Sequence, residues 1–120
     1  MDNIFHNKLK KLMDKYAHSV YNITRSFPKD EIYGITSQLR RSSLSIILNY
    51  IEGYSRFKRK VLINFLETSY GSLKESKYLL DFCYKEQLIT KDKYDKLNTL
   101  AEEIGAMLWT DIKNKKGKDC

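Results

Sequence analysis

The sequence predicts an all-α fold, an antiparallel up-down-up-down four-helix bundle. Apolar residues recur at gaps of three and four along most of the chain, the spacing that lines one face of a helix. One proline and five glycines interrupt 120 residues rich in Lys, Glu, Leu and Ile, a composition that favours helix over strand. No stretch alternates apolar and polar residues as a half-buried strand would. A chain of 120 residues gives one domain with a core of its own.

A first helix is expected over residues 3–26, because Phe5, Leu9, Leu12, Tyr16, Val20, Ile23 and Phe27 follow one another at gaps of 4, 3, 4, 4, 3 and 4. Such a helix spans about 35 Å. Pro28 ends it, since its nitrogen cannot donate and the residue before it is pushed out of the helical region. Residues 28–34 read as one short turn, with Gly34 free to take positive φ at its end. Thr36 or Ser37 is the expected cap of a second helix that runs to Gly53 or Tyr54. Leu39, Ile46 and Tyr50 share one face of it, while Leu44, Ile47, Leu48 and Ile51 cover much of the rest. A helix apolar nearly all round is either central or carries a second face for an oligomer, and the small size of the chain favours the oligomer.

A third helix over 58–86 carries Leu62, Phe65, Leu66, Ser69, Leu73, Ser76, Leu80 and Cys83 at helical gaps. Gly71 lies inside it among Thr68, Ser69 and Ser72, where glycine costs about 1 kcal/mol against alanine. That patch of small residues predicts a close approach of two helices. Thr90 then caps a fourth helix, with Asp92 in its first turn and Tyr94, Leu97, Ala101, Ile104 and Leu108 on one stripe. The bundle is expected over residues 1–113, followed by a basic C-terminal tail, 114–120, in which Gly117 ends regular structure.

The net charge of +7 is uneven: residues 1–60 hold 12 Lys/Arg against 5 Asp/Glu, and residues 61–120 hold 10 against 10. A basic half of this kind is either a solvated face or a surface for an anionic partner. The candidates for binding nucleic acid are Arg40 and Arg41 at the start of the second helix, Arg56, Lys58, Arg59 and Lys60 after its end, and Lys8, Lys11 and Lys15 on the first. The two arginine groups stand about 25 Å apart by helix rise. Arginine grips phosphate bidentately, and Tyr33, Tyr50, Tyr54 and Phe57 are near enough in sequence to offer stacking to bases.

Other chemistry has little to stand on. The two histidines, His6 and His18, point about 120° apart on one helix and cannot share a metal ion. There is no HExxH, CxxC, GxxxxGK or GxGxxG, and no Glu-x-x-His pair of the di-iron bundles. No serine is marked as a nucleophile by a base at a fixed spacing. The protein is therefore expected to be no enzyme and to need no metal or cofactor. Glu52 is expected to be partly buried and paired with Arg56 or another arginine, and Asn49 to be a satisfied polar contact that sets helix register. Two cysteines, Cys83 and the terminal Cys120, form no disulfide framework. With no signal-peptide pattern and no long apolar run, a cytoplasmic location without membrane contact is expected.

The run Phe27-Pro28-Lys-Asp-Glu-Ile-Tyr-Gly34-Ile-Thr-Ser-Gln-Leu-Arg-Arg-Ser-Ser, followed by Asn49-Tyr-Ile-Glu52-Gly53, resembles the small four-helix-bundle proteins encoded in bacterial 23S rRNA intervening sequences. These are similar in turn to Avd, the accessory protein of diversity-generating retroelements. The likeness extends through Phe65-Leu-Glu-Thr-Ser-Tyr-Gly71-Ser-Leu-Lys-Glu and Glu102-Glu-Ile-Gly105-Ala-Met-Leu, so Gly53, Gly71 and Gly105 are expected to be structural. The family pattern has proline at Ile47 and a small residue at Tyr50, so a second helix with less of a kink is expected. The resemblance implies a homopentameric barrel with a basic surface. It further implies binding to nucleic acid, with structured RNA favoured, or, on the Avd side, a role as a scaffold subunit for a reverse transcriptase.

Overall fold

The computed structural model describes residues 2–117, the side chain of Asp2 excepted. Four helices make up nearly all of it, with no strand among the described residues: α1 (Asp2–Thr24), α2 (Ile35–Tyr54), α3 (Arg59–Lys85) and α4 (Lys91–Gly117). A single 3-10 turn, Lys29–Glu31, lies between α1 and α2. Each helix packs against two others, α1 on α2, α2 on α3, α3 on α4 and α4 on α1, as in a four-helix bundle 49 Å long and 25 by 19 Å across. His6 near the start of α1 meets Tyr50 near the end of α2, and Thr24 at the end of α1 meets Arg40 near the start of α2.

The core is the set of stripes that the periodicity marks. Leu9, Met13, Tyr16 and Val20 of α1 face Leu39, Ile46 and Tyr50 of α2, Leu66, Leu73 and Leu80 of α3, and Ala101, Ile104 and Leu108 of α4. Each large apolar side chain so buried contributes about 1.5–3 kcal/mol. Of the expected stripe members, Phe5, Leu12, Leu62, Phe65 and Tyr94 are only half-buried, while Met13, Ile63 and Leu79, outside those stripes, lie deeper. Tyr16 reaches across the interior, its hydroxyl 2.7 Å from Ser76 Oγ, so the one polar atom of that ring is satisfied where it is buried.

The helix ends differ from expectation in four places. Pro28 follows α1 as expected, but the helix closes at Thr24, whose hydroxyl donates back to the Val20 carbonyl at 2.8 Å. Gly34 has φ −109°, not a positive value, and no glycine among the described residues has one. α2 starts at Ile35 without a side-chain cap, so neither Thr36 nor Ser37 plays that part; Thr36 is buried in the first turn instead. α4 does not stop at Lys113 but continues through Gly117, because Lys115 and Lys116 find carboxylates at Asp111 and Glu67, 2.8 and 2.6 Å away. Residues 118–120, the rest of the expected tail with Cys120, lie outside the described residues.

The α3–α4 connection is closed by a non-glycine residue. Leu88 N–H donates to the Cys83 carbonyl at 2.8 Å and Gln87 N–H to the Tyr84 carbonyl at 3.0 Å, the bond pair of a Schellman cap. Gln87 takes the left-handed position with φ 62°. Thr90 caps α4 as expected, accepting from Lys93 N–H at 3.3 Å.

The close approach of two helices lies between α2 and α3, but not at Gly71. A Cβ on Gly71 would meet nothing within 4 Å, and the residue is exposed. A Cβ on Gly53 would stand 2.9 Å from Phe65 Cβ and 3.3 Å from the Leu62 carbonyl. Ser69 donates to the Ile46 carbonyl at 2.6 Å, and Ser45 and Ser72 bond at 2.7 Å. Asn49 donates to Ser45 of its own helix and reaches α3 only through this chain. Gly105 is the milder counterpart between α4 and α3, where an added Cβ would meet Leu73 at 3.2 Å.

Candidate nucleic-acid interface

The candidate basic residues lie in three separate places. At the end of the bundle where α2 turns into α3, Ser55 donates to the Glu52 carbonyl at 2.6 Å and closes α2, and Lys58 precedes α3 in extended backbone. Between them Phe57 stands fully exposed, flanked by Arg56, Lys58, Arg59 and Lys60, all exposed. Arg56 is held in place: its guanidinium bonds Glu52 Oε2 at 2.6 Å and lies 5.1 Å from the centre of the Phe65 ring. The Glu52–Arg56 pair is the one expected from spacing, but Glu52 is exposed, not partly buried, because α2 presents it to solvent at its last turn. An exposed pair of this kind is worth a few tenths of a kcal/mol to about 1 kcal/mol.

The last turn of α4 arrives at this same end, which spacing in the chain did not show. Tyr54 of α2 donates to Asp111 of α4, a carboxylate only 3% exposed, and Lys115 pairs with the same group at 2.8 Å while lying 5.4 Å from the Tyr54 ring centre. His6 joins from α1, bonded to the Tyr50 hydroxyl and packed edge-on against Tyr54 with ring centres 4.5 Å apart. Burial and the Asp111 charge push the Tyr50 hydroxyl well above the tyrosine range. Burial and the bond to Asp111 do the same for Tyr54. Tyr50 is buried and offers no face to a base, a correction to the sequence reading, and Tyr54 is half-buried with His6 and Lys115 beside its ring; Tyr33 and Phe57 are the two of that group left exposed. The network also brings the exposed Lys113 and the Glu67-paired Lys116 to the end that carries Arg56 and Lys58.

A second region lies about 25 Å away at the start of α2. Arg40 is fixed by two contacts: Nε donates to Thr24 Oγ1 at 2.8 Å, where Thr24 is itself anchored on α1, and the guanidinium lies 4.6 Å from the centre of the Tyr21 ring. Arg41 beside it is exposed. The two line a groove of about 560 Å³ on the α1–α2 face, whose walls include Tyr33 and Leu48.

The α1 lysines form a third region on the α4 side. Lys8 stands 3.7 Å from Glu103, and Lys15 lines a groove of about 670 Å³ together with Lys93, Lys96, Asp95 and Glu103. Carboxylates offset the cations here, so this stripe is the least basic of the three. His18 is exposed and lies 3.4 Å from Asp14, away from His6. Nothing among the described residues groups three or more potential metal ligands, and no described helix is long and apolar enough to cross a membrane.

Along α2 the apolar residues divide. Ile47 packs half-buried against the core, while Leu44, Leu48 and Ile51 form an exposed ridge at helical spacing, Leu48 with 59% of its surface open. The helix continues unbroken through Ile47 and Tyr50, as their side chains permit.

Comparison with known proteins matches this architecture. A solved structure from Bacteroides thetaiotaomicron, a protein of unknown function from the S23 ribosomal protein family, superposes with a TM-score of 0.84 at 24% identity. The alignment covers 91% of this chain and 98% of that one, and it speaks for the fold alone. No curated protein matches. The family model described as 23S rRNA-intervening sequence protein matches residues 6–110. Taken over that span, the four helices and the motifs around Pro28, Gly53 and Gly105 place the chain in the 23S rRNA-intervening sequence protein family.

Proposed function

We propose that this protein is a non-catalytic, oligomeric nucleic-acid-binding protein of the cytoplasm that holds structured RNA on its basic surface. The observation that carries the reading is the concentration of cations at one end of the bundle, where Arg56, Lys58 and Lys60 flank the exposed Phe57 and the Tyr54–Asp111 bond brings in the end of α4 with Lys113 and Lys116. Phosphates attract such a surface from a distance, and an exposed ring beside them offers stacking to an unpaired base. Three nucleophilic side chains of the interior are committed to packing. Cys83 is wholly buried with its thiol pushed up to about 11 by burial and then by Glu31, and Ser69 and Ser76 are committed to buried hydrogen bonds.

The helices run up-down-up-down in this reading, supported by the contacts of His6 with Tyr50 and of Thr24 with Arg40. The assembly is a homopentamer, supported by the exposed Leu44–Leu48–Ile51 ridge, which a lone bundle leaves in water. That same ridge favours the second reading, a scaffold subunit for a reverse transcriptase or another protein of a mobile element.

The test is retention of a labelled RNA hairpin as salt is raised. Each phosphate neutralised releases a counterion, so affinity should fall at least about ten-fold between 50 and 200 mM salt. Lys58→Glu with Lys60→Glu should weaken binding further without lowering thermal stability. Salt-independent retention, or none at low salt, overturns the proposal.

A further inference from the structure

The groove at the start of α2 is separate from the basic end and open to solvent along the surface. Arg40 is held rigidly by Thr24 and Tyr21, and among the described residues no hydrogen bond or ion pair uses its terminal nitrogens. A guanidinium fixed through Nε presents its outer edge as a ready fork for two oxygens of one anion. Arg41 supplies a second, exposed cation on the same wall. Thr36 also lines the groove, and its hydroxyl is buried without a partner among the described residues. Tyr33, 95% exposed, lines the groove as well, a flat aromatic surface held open to water at a cost.

We propose that this groove takes one unstacked nucleotide of a single-stranded nucleic acid, its phosphodiester on Arg40 and Arg41 and its base against Tyr33. The inference rests on the nucleic-acid reading and gives it a second contact, selective for unpaired over duplex strands. A base within a duplex is stacked on its neighbours and cannot enter, whereas phosphates at the basic end are gripped in either form. The volume of about 560 Å³ lies in the range of small-ligand pockets.

The experiment compares a fluorescein-labelled single-stranded RNA with a duplex of equal length, by anisotropy, on the full chain and two variants. Tyr33→Ala removes only an exposed ring, and Arg40→Lys keeps the charge while removing the fork; thermal melting verifies that both fold. Each variant should weaken single-strand binding at least about five-fold and leave duplex binding within about two-fold. A photo-cross-linking phenylalanine analogue at position 33 should attach to the single strand. If the variants affect both RNAs equally or neither, while Lys58→Glu with Lys60→Glu weakens binding, the groove proposal fails and the nucleic-acid reading stands. If the cross-linker joins a second copy of the chain, the groove is a subunit contact and the proposal fails in the same way. If the unaltered protein binds neither RNA, both readings fall.

Discussion

One methyl group distinguishes the two glycines that share the α2–α3 region. Gly53→Ala would place a Cβ 2.9 Å from Phe65 Cβ and against the Leu62 carbonyl, where the backbone cannot yield. It should destabilise by about 1–3 kcal/mol, read as a lower urea midpoint with unchanged slope. Gly71→Ala meets nothing and sits in an exposed helical turn, so it should stabilise by about 0.5–1 kcal/mol in the same assay. Gln87 provides a third case. Its φ of 62° is a conformation that glycine adopts without cost, and Gln87→Gly should raise stability by about 1 kcal/mol through the Schellman cap. The positions of these glycines are plain in the sequence, but their surroundings are not. Gly71 sits among Ser and Thr and invites the reading of a contact point; only the helix's rotation in the bundle shows that it faces solvent.

At the scale of the element, the helices were legible and their ends less so. Period carried α1 through α4 because a buried stripe must repeat with the helix, whatever it packs against. The ends depend on which carboxylate or hydroxyl a terminal residue meets, as α4 shows by continuing to Gly117 on the pairs of Lys115 and Lys116. The contact of α1 with α3 makes a pH prediction. Burial, tempered by the Ser76 bond, pushes Tyr16 from 10.0 up to about 12, and burial pushes Cys83 from 9.0 up to about 11. Both groups are held neutral in the folded state, so the stability they contribute is complete below pH 9 and is lost as pH rises through 11 and then 12. The urea midpoint should stay flat to pH 9 and then fall, with losses on the order of 2 kcal/mol per group. Cys83→Ala should remove the earlier part of the fall, and an unchanged curve would contradict the assigned cause.

At the scale of the molecule, the question is what covers α2. Leu44, Leu48 and Ile51 stand exposed on the helix that the sequence marks as apolar nearly all round. Leu48→Glu should convert the proposed oligomer to monomer by light scattering while leaving helicity intact, since Leu48 makes no part of the buried core. If the unaltered chain is already monomeric, the assembly proposal fails. The charge distribution also changes meaning at this scale. The excess of the first half is divided among three faces of the bundle, and the most basic end is completed by α4 lysines from the half whose net charge is zero.

What the amino-acid sequence determined alone is the part of the local structure that spacing fixes. Helix period, the break at Pro28, the Thr90 cap and the Glu52–Arg56 pair all arise between residues within a turn or two, where spacing fixes geometry. The tertiary structure alone decided which distant groups share a place. Tyr54 and Asp111 bond across 57 residues, Arg40 is fixed by Thr24 of another helix, and of the four expected stacking aromatics Tyr50 is withdrawn into the interior and Tyr54 is half-buried against it. The rotation and offset of each helix against its neighbours set these meetings. Those follow from packing all the side chains together, and no window along the chain contains that sum.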